Sequence, residues 1–359
     1  MGISRKEALD CLRSDDLIGV GMEADAVRRR LHPEGVVSYA IECAIRLRTS
    51  VSSIEELCAA IRETVEQGST GVRLAGGVGC ALKSREMEWF EGLLRSIRQR
   101  FPSLWIEGLS ASEIVALAAG SGLDLRQTIA RLRDAGLDSI ASDDAASFDA
   151  AVSHGNRIAR TPCTLAQWLA VHRAAHGLGM STVATMNFGA GEAGTGKDGA
   201  GKVGVGKTGA GEALELRVDF LAEVRRLQEE TGGFTAFIPR SLPSRNTAGL
   251  WDEPTAVEQL KTLAIARVFL DNIENIQWSG AAQGLKVLQM GLRFGANDAG
   301  SVTPEANGAK PGNRAGAAGV ESAAAVANHP SEEDLRRIIR DAGFHPVQRD
   351  SSYRTMFLN

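Results

Sequence analysis

Long apolar runs are missing from this chain. None approaches the ~18 residues of a membrane-crossing helix, so no membrane span is expected. A charge excess of either sign is missing too. Lys and Arg number 40 against 44 Asp and Glu, and the basic residues are scattered. That distribution argues against a nucleic-acid partner. Closely spaced cysteines are absent: Cys11, Cys43, Cys58, Cys80 and Cys163 include no C-x2–4-C pair. The spacing disfavours a zinc knuckle or a sequence-local iron–sulfur loop, and buried thiols in a reducing compartment are the default. MGISRKEALDCLRSDD has no signal-peptide apolar stretch, which makes the cytoplasm the expected location. What remains is a chain of 359 residues, 43% hydrophobic. That suffices for one large α/β barrel or two ordinary domains.

One stretch looks like a nucleotide site. GKVGVGKTG (201–209) fits the phosphate-loop pattern G-x-x-x-x-G-K-[ST], with Lys207 and Thr208 in the functional positions. From Gly189, however, the chain reads GAGEA, GTGKD, GAGKV, GVGKT, GAGEA, five tandem copies of G-x-G-[EK]-x. A five-residue period generates the glycine spacing and the lysine by itself, and no apolar strand leads into Gly201. Composition makes the repeat a flexible, Gly-rich segment, and the match is read as accidental.

Elsewhere strand-like and helix-like periods alternate. VVSYAI (36–41) precedes SIEELCAAIRETVEQG (53–68), capped by Ser53 and Glu56. GVRLAGG (71–77) precedes the helix 86–101, and LWIEGLS (104–110) precedes two helices. LDSIAS (137–142), STVATMNFG (181–189), GFTAFIPRS (233–241) and NIQWSG (275–280) continue the pattern between further helices. Such alternation without a dinucleotide fingerprint predicts an α/β fold, a full or partial TIM-like (β/α) barrel with function at the strands' C-terminal ends. The expected organisation is an N-terminal helical segment (1–35), a barrel (36–305) interrupted by the repeat (189–213), a disordered Ala/Gly-rich linker (306–330), and a C-terminal helix and tail (331–359). His172 and His176 have the i, i+4 spacing of zinc ligands on a helix. Without an HExxH glutamate, and on a helix outside the barrel, they are read as solvated.

RSDDLIGVGMEADAVRRRLHPEGVVSY, ETGGFTAFIP, LAIARVFLDNIENIQ, QGLKVLQMGLRFGANDAGS and IIRDAGFHPVQRD closely resemble the cyclic dehypoxanthine futalosine synthases. These are radical S-adenosylmethionine (SAM) enzymes of the futalosine route to menaquinone. The resemblance spans residues 4 to 354 and implies a radical-SAM-type partial barrel with helical extensions at both termini. It also implies a [4Fe–4S] cluster, S-adenosylmethionine and a modified nucleoside as the bound groups. Family positions retained here include Gly76 and Gly77 for the cofactor, Asn246, Thr247, Gln283 and Glu305 for the substrate, and Asn297 and Asp298.

The family's C-x3-C-x2-C loop after the first strand is not in this sequence, where VVSYAIECAIRLRTSVSSIEEL contains one cysteine, Cys43. The family's Gly-Gly-Gly-Ala-Glu-like turn is replaced by residues 140–146. Asn187 and Ala190 stand where the family has Met and His, and Arg240 where it has Trp. Removing four pentads restores an ungapped match. These departures lead to the expectation of a degenerate relative with no cofactor, no radical catalysis and no metal, binding a nucleoside-like ligand or a menaquinone-pathway enzyme. The competing expectation is an active cyclase or transferase with unusual cluster ligation, by Cys43, Cys58 and Cys80, or a cluster-free enzyme.

Overall fold

The apolar periods become elements in a computed structural model that describes residues 2–47, 53–75, 87–142, 163–189, 210–242, 244–245, 251–252, 254–279, 284–302 and 330–356. Helices α1 (Arg5–Arg13) and α2 (Leu17–Leu31) come first, followed by β1 (Val36–Arg46), α3 (Ile54–Glu66), β2 (Gly71–Ala75), α4 (Met87–Arg100) and β3 (Trp105–Gly108). Then come α5 (Ala111–Ser121), α6 (Leu125–Ala135), β4 (Ser139–Ile140), α7 (Leu165–His176), β5 (Thr182–Gly189), α8 (Ala210–Thr231) and β6 (Phe234–Leu242). The antiparallel pair β7 (Ser244–Arg245) and β8 (Trp251–Asp252) precedes α9 (Ala256–Phe269), β9 (Asn275–Ile276), α10 (Leu285–Gly291) and β10 (Asp298–Val302). The described chain closes with α11 (Glu332–Asp341) and β11 (His345–Arg349). Local chemistry sets many helix starts: Ser4 with Glu7, Ser53 with Glu56 and Thr164 with Gln167 form reciprocal capping boxes.

The long strands are parallel, in the order β10-β1-β2-β3-β4 and β5-β6-β9. A parallel bridge between Gln277 and Asp298 joins the second group to the first. Across the other seam Ser139 Oγ donates to the Ser181 carbonyl, 2.9 Å away, and no ladder is formed there among the described residues. The result is a partial (β/α) barrel, open between β4 and β5, with helical extensions at both ends of the chain.

β11 was not anticipated within the expected helix and tail. It pairs with β1 from Val36↔His345 to Ala40↔Arg349, directly below β2, which joins β1 only from Glu42 onward. The chain then turns beneath β2, so close that a Cβ on Gly71 would collide with Ser351 Oγ. This last segment forms the barrel's floor. The N-terminal helices close the outside, α1 against α8 and α9 and α2 along α9.

Between sheet and helices lies one apolar layer, including Ile45, Leu93, Ile106, Trp168, Phe220, Phe237 and Trp278. β5 shows why. Ala184, Met186 and Phe188 are buried outward against the helices, while Val183 and Asn187 are half-buried on the inward row. Period-two alternation thus divides one strand between core and lumen.

His172 and His176 correct the solvated reading. His172 is 2% exposed, and its Nδ1 lies 2.8 Å from Thr182 Oγ1. His176 Nε2 approaches the same hydroxyl at 2.8 Å, and its Nδ1 lies 2.7 Å from Thr231 Oγ1. Trp168 and Phe234 pack on the His172 ring at 4.1 and 5.3 Å between centroids. Burial drives both histidines toward the neutral form: His172 well below its ordinary value, and His176 down to about 4, helped by Arg173. The helix is outside the barrel, but this face of it points at the sheet.

Candidate functional site

The inner surface of the barrel is polar. On β2 and β3, Arg73 and Glu107 face each other in register, and Arg73 Nε donates to Glu107 Oε1 at 3.2 Å. The same oxygen accepts from the Ser142 backbone N–H at 2.7 Å and from its hydroxyl at 3.0 Å. Arg73 Nη2 also lies 3.6 Å from Glu42 Oε2 on β1. Charged residues fill this layer where a closed barrel core would carry branched aliphatics.

Lower down, Asp298 and Arg349 form an ion pair 0% and 2% exposed. Arg349 Nε donates to Asp298 Oδ2 at 2.5 Å and Nη2 to Oδ1 at 3.1 Å, a bidentate contact. Ser38 Oγ and the Gly300 N–H donate to the same carboxylate at 2.6 and 2.9 Å. Burial opposes the Arg349 charge, yet Asp298, Tyr353 and Glu42 hold the guanidinium more basic than usual. Tyr353 stacks on it at 3.8 Å and donates to Gln277 Oε1 at 2.6 Å, and burial pushes its phenol up.

Glu42, Arg73, Trp105, Glu107, Gln277 and Tyr353 line a hollow of about 20 Å³ at this level. That is room for about one water. It is lined from residues at strand starts (Trp105, Val183, Thr235) up to Glu42 in the middle of β1 and Ser142 just past β4, below the mouth at the strands' C-terminal ends. There Asn187 and Arg240, inward residues near the ends of β5 and β6, are register partners, and Arg240 Nε donates to Asn187 Oδ1 at 2.9 Å. The sequence between the end of β5 and the start of α8, 190–209, is four pentads long.

Of the site residues named from sequence, Gly76, Gly77, Asn246, Thr247, Gln283 and Glu305 all lie outside the described residues. Asn297 is described and is a structural clamp. Its Oδ1 accepts from the Ile276 N–H at 2.9 Å and from Arg267 Nη2 at 2.7 Å, and its Nδ2 donates to Asn275 Oδ1 at 2.8 Å. Arg267 also donates to the Gly295, Ile273 and Glu274 carbonyls, and burial lowers it to about 9. Asp298 anchors the floor. Sequence reasoning did not single out Arg73, Glu107, Arg349 or Tyr353. The signal available was a charge inside two very short strands, GVRLA and WIEG.

The described cysteines do not fit a cluster. Cys11 is in α1; Cys58 is buried in α3 with Arg100 Nη1 3.2 Å from its sulfur; Cys163 is buried just before α7, its backbone N–H donating to Ser112 Oγ at 3.2 Å. Cys43 contributes backbone to β1, but its side chain, and all of Cys80, lie outside the described residues. No group of three His, Cys, Asp or Glu side chains suited to a metal occurs among the described residues.

Comparison with known proteins supplies the family. Residues 231–358 match the CofH/MqnC C-terminal region. The cyclic dehypoxanthine futalosine synthase of Streptomyces coelicolor is 31% identical over 381 residues, covering 99% of this chain and 86% of that protein. The aminodeoxyfutalosine synthase of Thermus thermophilus is 29% identical, covering 93% of this chain and 78% of that protein. Among solved structures, the [FeFe]-hydrogenase maturase HydG from Carboxydothermus hydrogenoformans superposes with a TM-score of 0.65 at 15% identity, over 98% of this chain and 78% of that one. The barrel is thus of the radical SAM type. These matches also overturn the expectation that the chain works without a cofactor: its relatives are radical SAM enzymes that use a [4Fe–4S] cluster and S-adenosylmethionine, and no described residue removes either group. No described helix is long and apolar enough to cross a membrane. With near-complete coverage at this identity, the chain belongs to the cyclic dehypoxanthine futalosine synthase family.

Proposed function

We propose that this chain serves the futalosine route by holding a futalosine-type nucleoside at the C-terminal mouth of its barrel. Its role in this reading is to bind and orient the nucleoside rather than to start radical chemistry, because the β1–α3 connection has no three-cysteine loop. The observation that carries the reading is the barrel's division of labour. The floor is sealed by Arg349, Asp298 and Tyr353, and the hollow above it takes about one water, which leaves the mouth as the place for a ligand. Asn246, Thr247, Gln283 and Glu305 are the residues this reading assigns to the nucleoside, and Gly76 and Gly77 those it assigns to the cofactor.

A ligand that binds only the folded chain stabilises it by about 2.7 kcal/mol at a hundred times its Kd. Futalosine or its dehypoxanthine derivative should therefore raise Tm, and Asn246→Ala or Glu305→Ala should remove the rise. No shift at millimolar nucleoside with the wild-type chain refutes the reading and leaves a menaquinone-pathway enzyme as the partner to test.

A further inference from the structure

We infer that the hollow above the barrel's floor is a binding site for a single water molecule, held between the Glu42 carboxylate and the Ser351 hydroxyl. The site is independent of the nucleoside reading, which concerns the mouth. Glu42 is the first observation. Its side chain is 13% exposed, yet its two cationic neighbours stand beyond hydrogen-bonding distance: Arg73 Nη2 is 3.6 Å from Oε2, and Arg349 Nη1 is 3.8 Å from Oε1. A polar contact of that length, with space alongside it, is the geometry a bridging water fills. The hollow that Glu42 lines, about 20 Å³, has room for about one. Its lining also decides what fits. Glu42 and Glu107 would repel a halide there, and Arg73 and Arg349 would repel a cation. Water donates to the carboxylates and accepts from the guanidinia.

The second observation is Ser351, which lines the same hollow. Its Oγ is fully buried and has no hydrogen-bond partner among the described residues. Two relations place it beside Glu42. Gly71 is the register partner of Glu42 on the next strand, ~4.8 Å away. A Cβ built on Gly71 would lie 2.0 Å from Ser351 Oγ. The hydroxyl thus occupies the side-chain position that Gly71 leaves open, next to Glu42. Buried polar groups that are neighbours without bonding each other are what an internal water joins, commonly with about three hydrogen bonds. Arg349 Nη1 supplies the third partner, since it uses one N–H on the Asp350 carbonyl at 2.9 Å and carries a second. The water fastens Glu42 to the floor, and Glu42 faces Arg73, whose Nε bond to Glu107 continues to Ser142 past β4.

The test is a high-resolution crystal structure of the full chain, paired with oxygen-17 magnetic relaxation dispersion, which counts long-lived internal waters in solution. Crystals should show one water in the hollow, ~2.8 Å from both Glu42 and Ser351 Oγ. Bromide soaking should leave no anomalous peak there. In solution the wild-type chain should hold one long-lived water more than Glu42→Leu, whose apolar side chain fills the space and offers no acceptor. Glu42→Gln, which keeps an acceptor oxygen in place, should retain the water, and Ser351→Ala should shorten its residence time severalfold. An empty hollow, a bromide peak in it, closure of Glu42 onto either guanidinium within direct hydrogen-bonding distance, or an equal count in folded Glu42→Leu overturns the site. If Glu42→Leu does not fold, the wild-type density and Ser351→Ala decide. None of these readouts uses a nucleoside, so failure here leaves the reading at the mouth standing, and failure there leaves this site standing.

Discussion

The floor and the mouth of this barrel are built on opposite plans. At the floor, Arg349, Asp298, Ser38, Gln277 and Tyr353 satisfy one another within 3.5 Å, the first three buried and the last two half-buried. At the mouth, the described polar pair Asn187–Arg240 is half-buried. The difference teaches where change is tolerated: substitutions and insertions at the mouth leave the sheet's closure untouched, whereas each floor residue is held by several partners.

The sharpest way to break that contrast is Arg349→Ala. It strands the Asp298 carboxylate in the interior, and removing one partner of a buried pair costs ~3–5 kcal/mol. Denaturant unfolding should show a loss of that size, and Arg349→Met with Asp298→Asn should recover much of it. A loss under ~1 kcal/mol would mean that the floor is not the stabilising region.

Acid probes the outer face of β5. His176, buried and beside Arg173, is lowered to about 4 from an ordinary 6.5, and burial drives His172 lower still. Between those values the unfolded chain binds more protons than the folded one, so stability is full above about pH 6.5 and falls as pH drops toward 4. For His176 alone the loss is on the order of 2–3 kcal/mol. His176→Gln should flatten the curve of stability against pH; an unchanged curve would contradict the buried, neutral state.

The smallest effect is expected at the mouth. Deleting 190–209 joins Gly189 to Ala210 and restores a short β5–α8 connection. By the logarithmic dependence of closure entropy on connection length, shortening a connection by this much changes stability by only about 1 kcal/mol. The same deletion removes Lys207 and Thr208 and should leave nucleoside triphosphate affinity unchanged. A micromolar affinity abolished by it would restore the phosphate-loop reading.

How much of this was readable beforehand depended on the range of the interaction. Capping boxes at Ser4 and Ser53 and the apolar periods of β5 and β6 are local, and they were legible. The lumen was not, because Arg73 meets Glu107 only once β2 and β3 are in register. His172 and His176 resembled a solvated pair because i, i+4 spacing names a helix face without saying what that face meets. Asn297 was recognised by family pattern without a role: its amide spans β9 and Arg267, contacts made by folding alone. The floor was hidden for the same reason, since HPVQR is too short to announce a strand whose partner lies at the barrel's start.

That last pairing has a temporal consequence. β1 is synthesised early, but its row from Val36 to Ala40 has no neighbour on one side until residues 345–349 emerge. At ribosomal rates of ~5–20 residues per second, the unfilled edge waits roughly 15–60 s. During that interval an apolar strand end is open to pairing with other nascent chains. Chaperone dependence and aggregation during expression should therefore follow the speed of translation more closely than the stability of the finished protein.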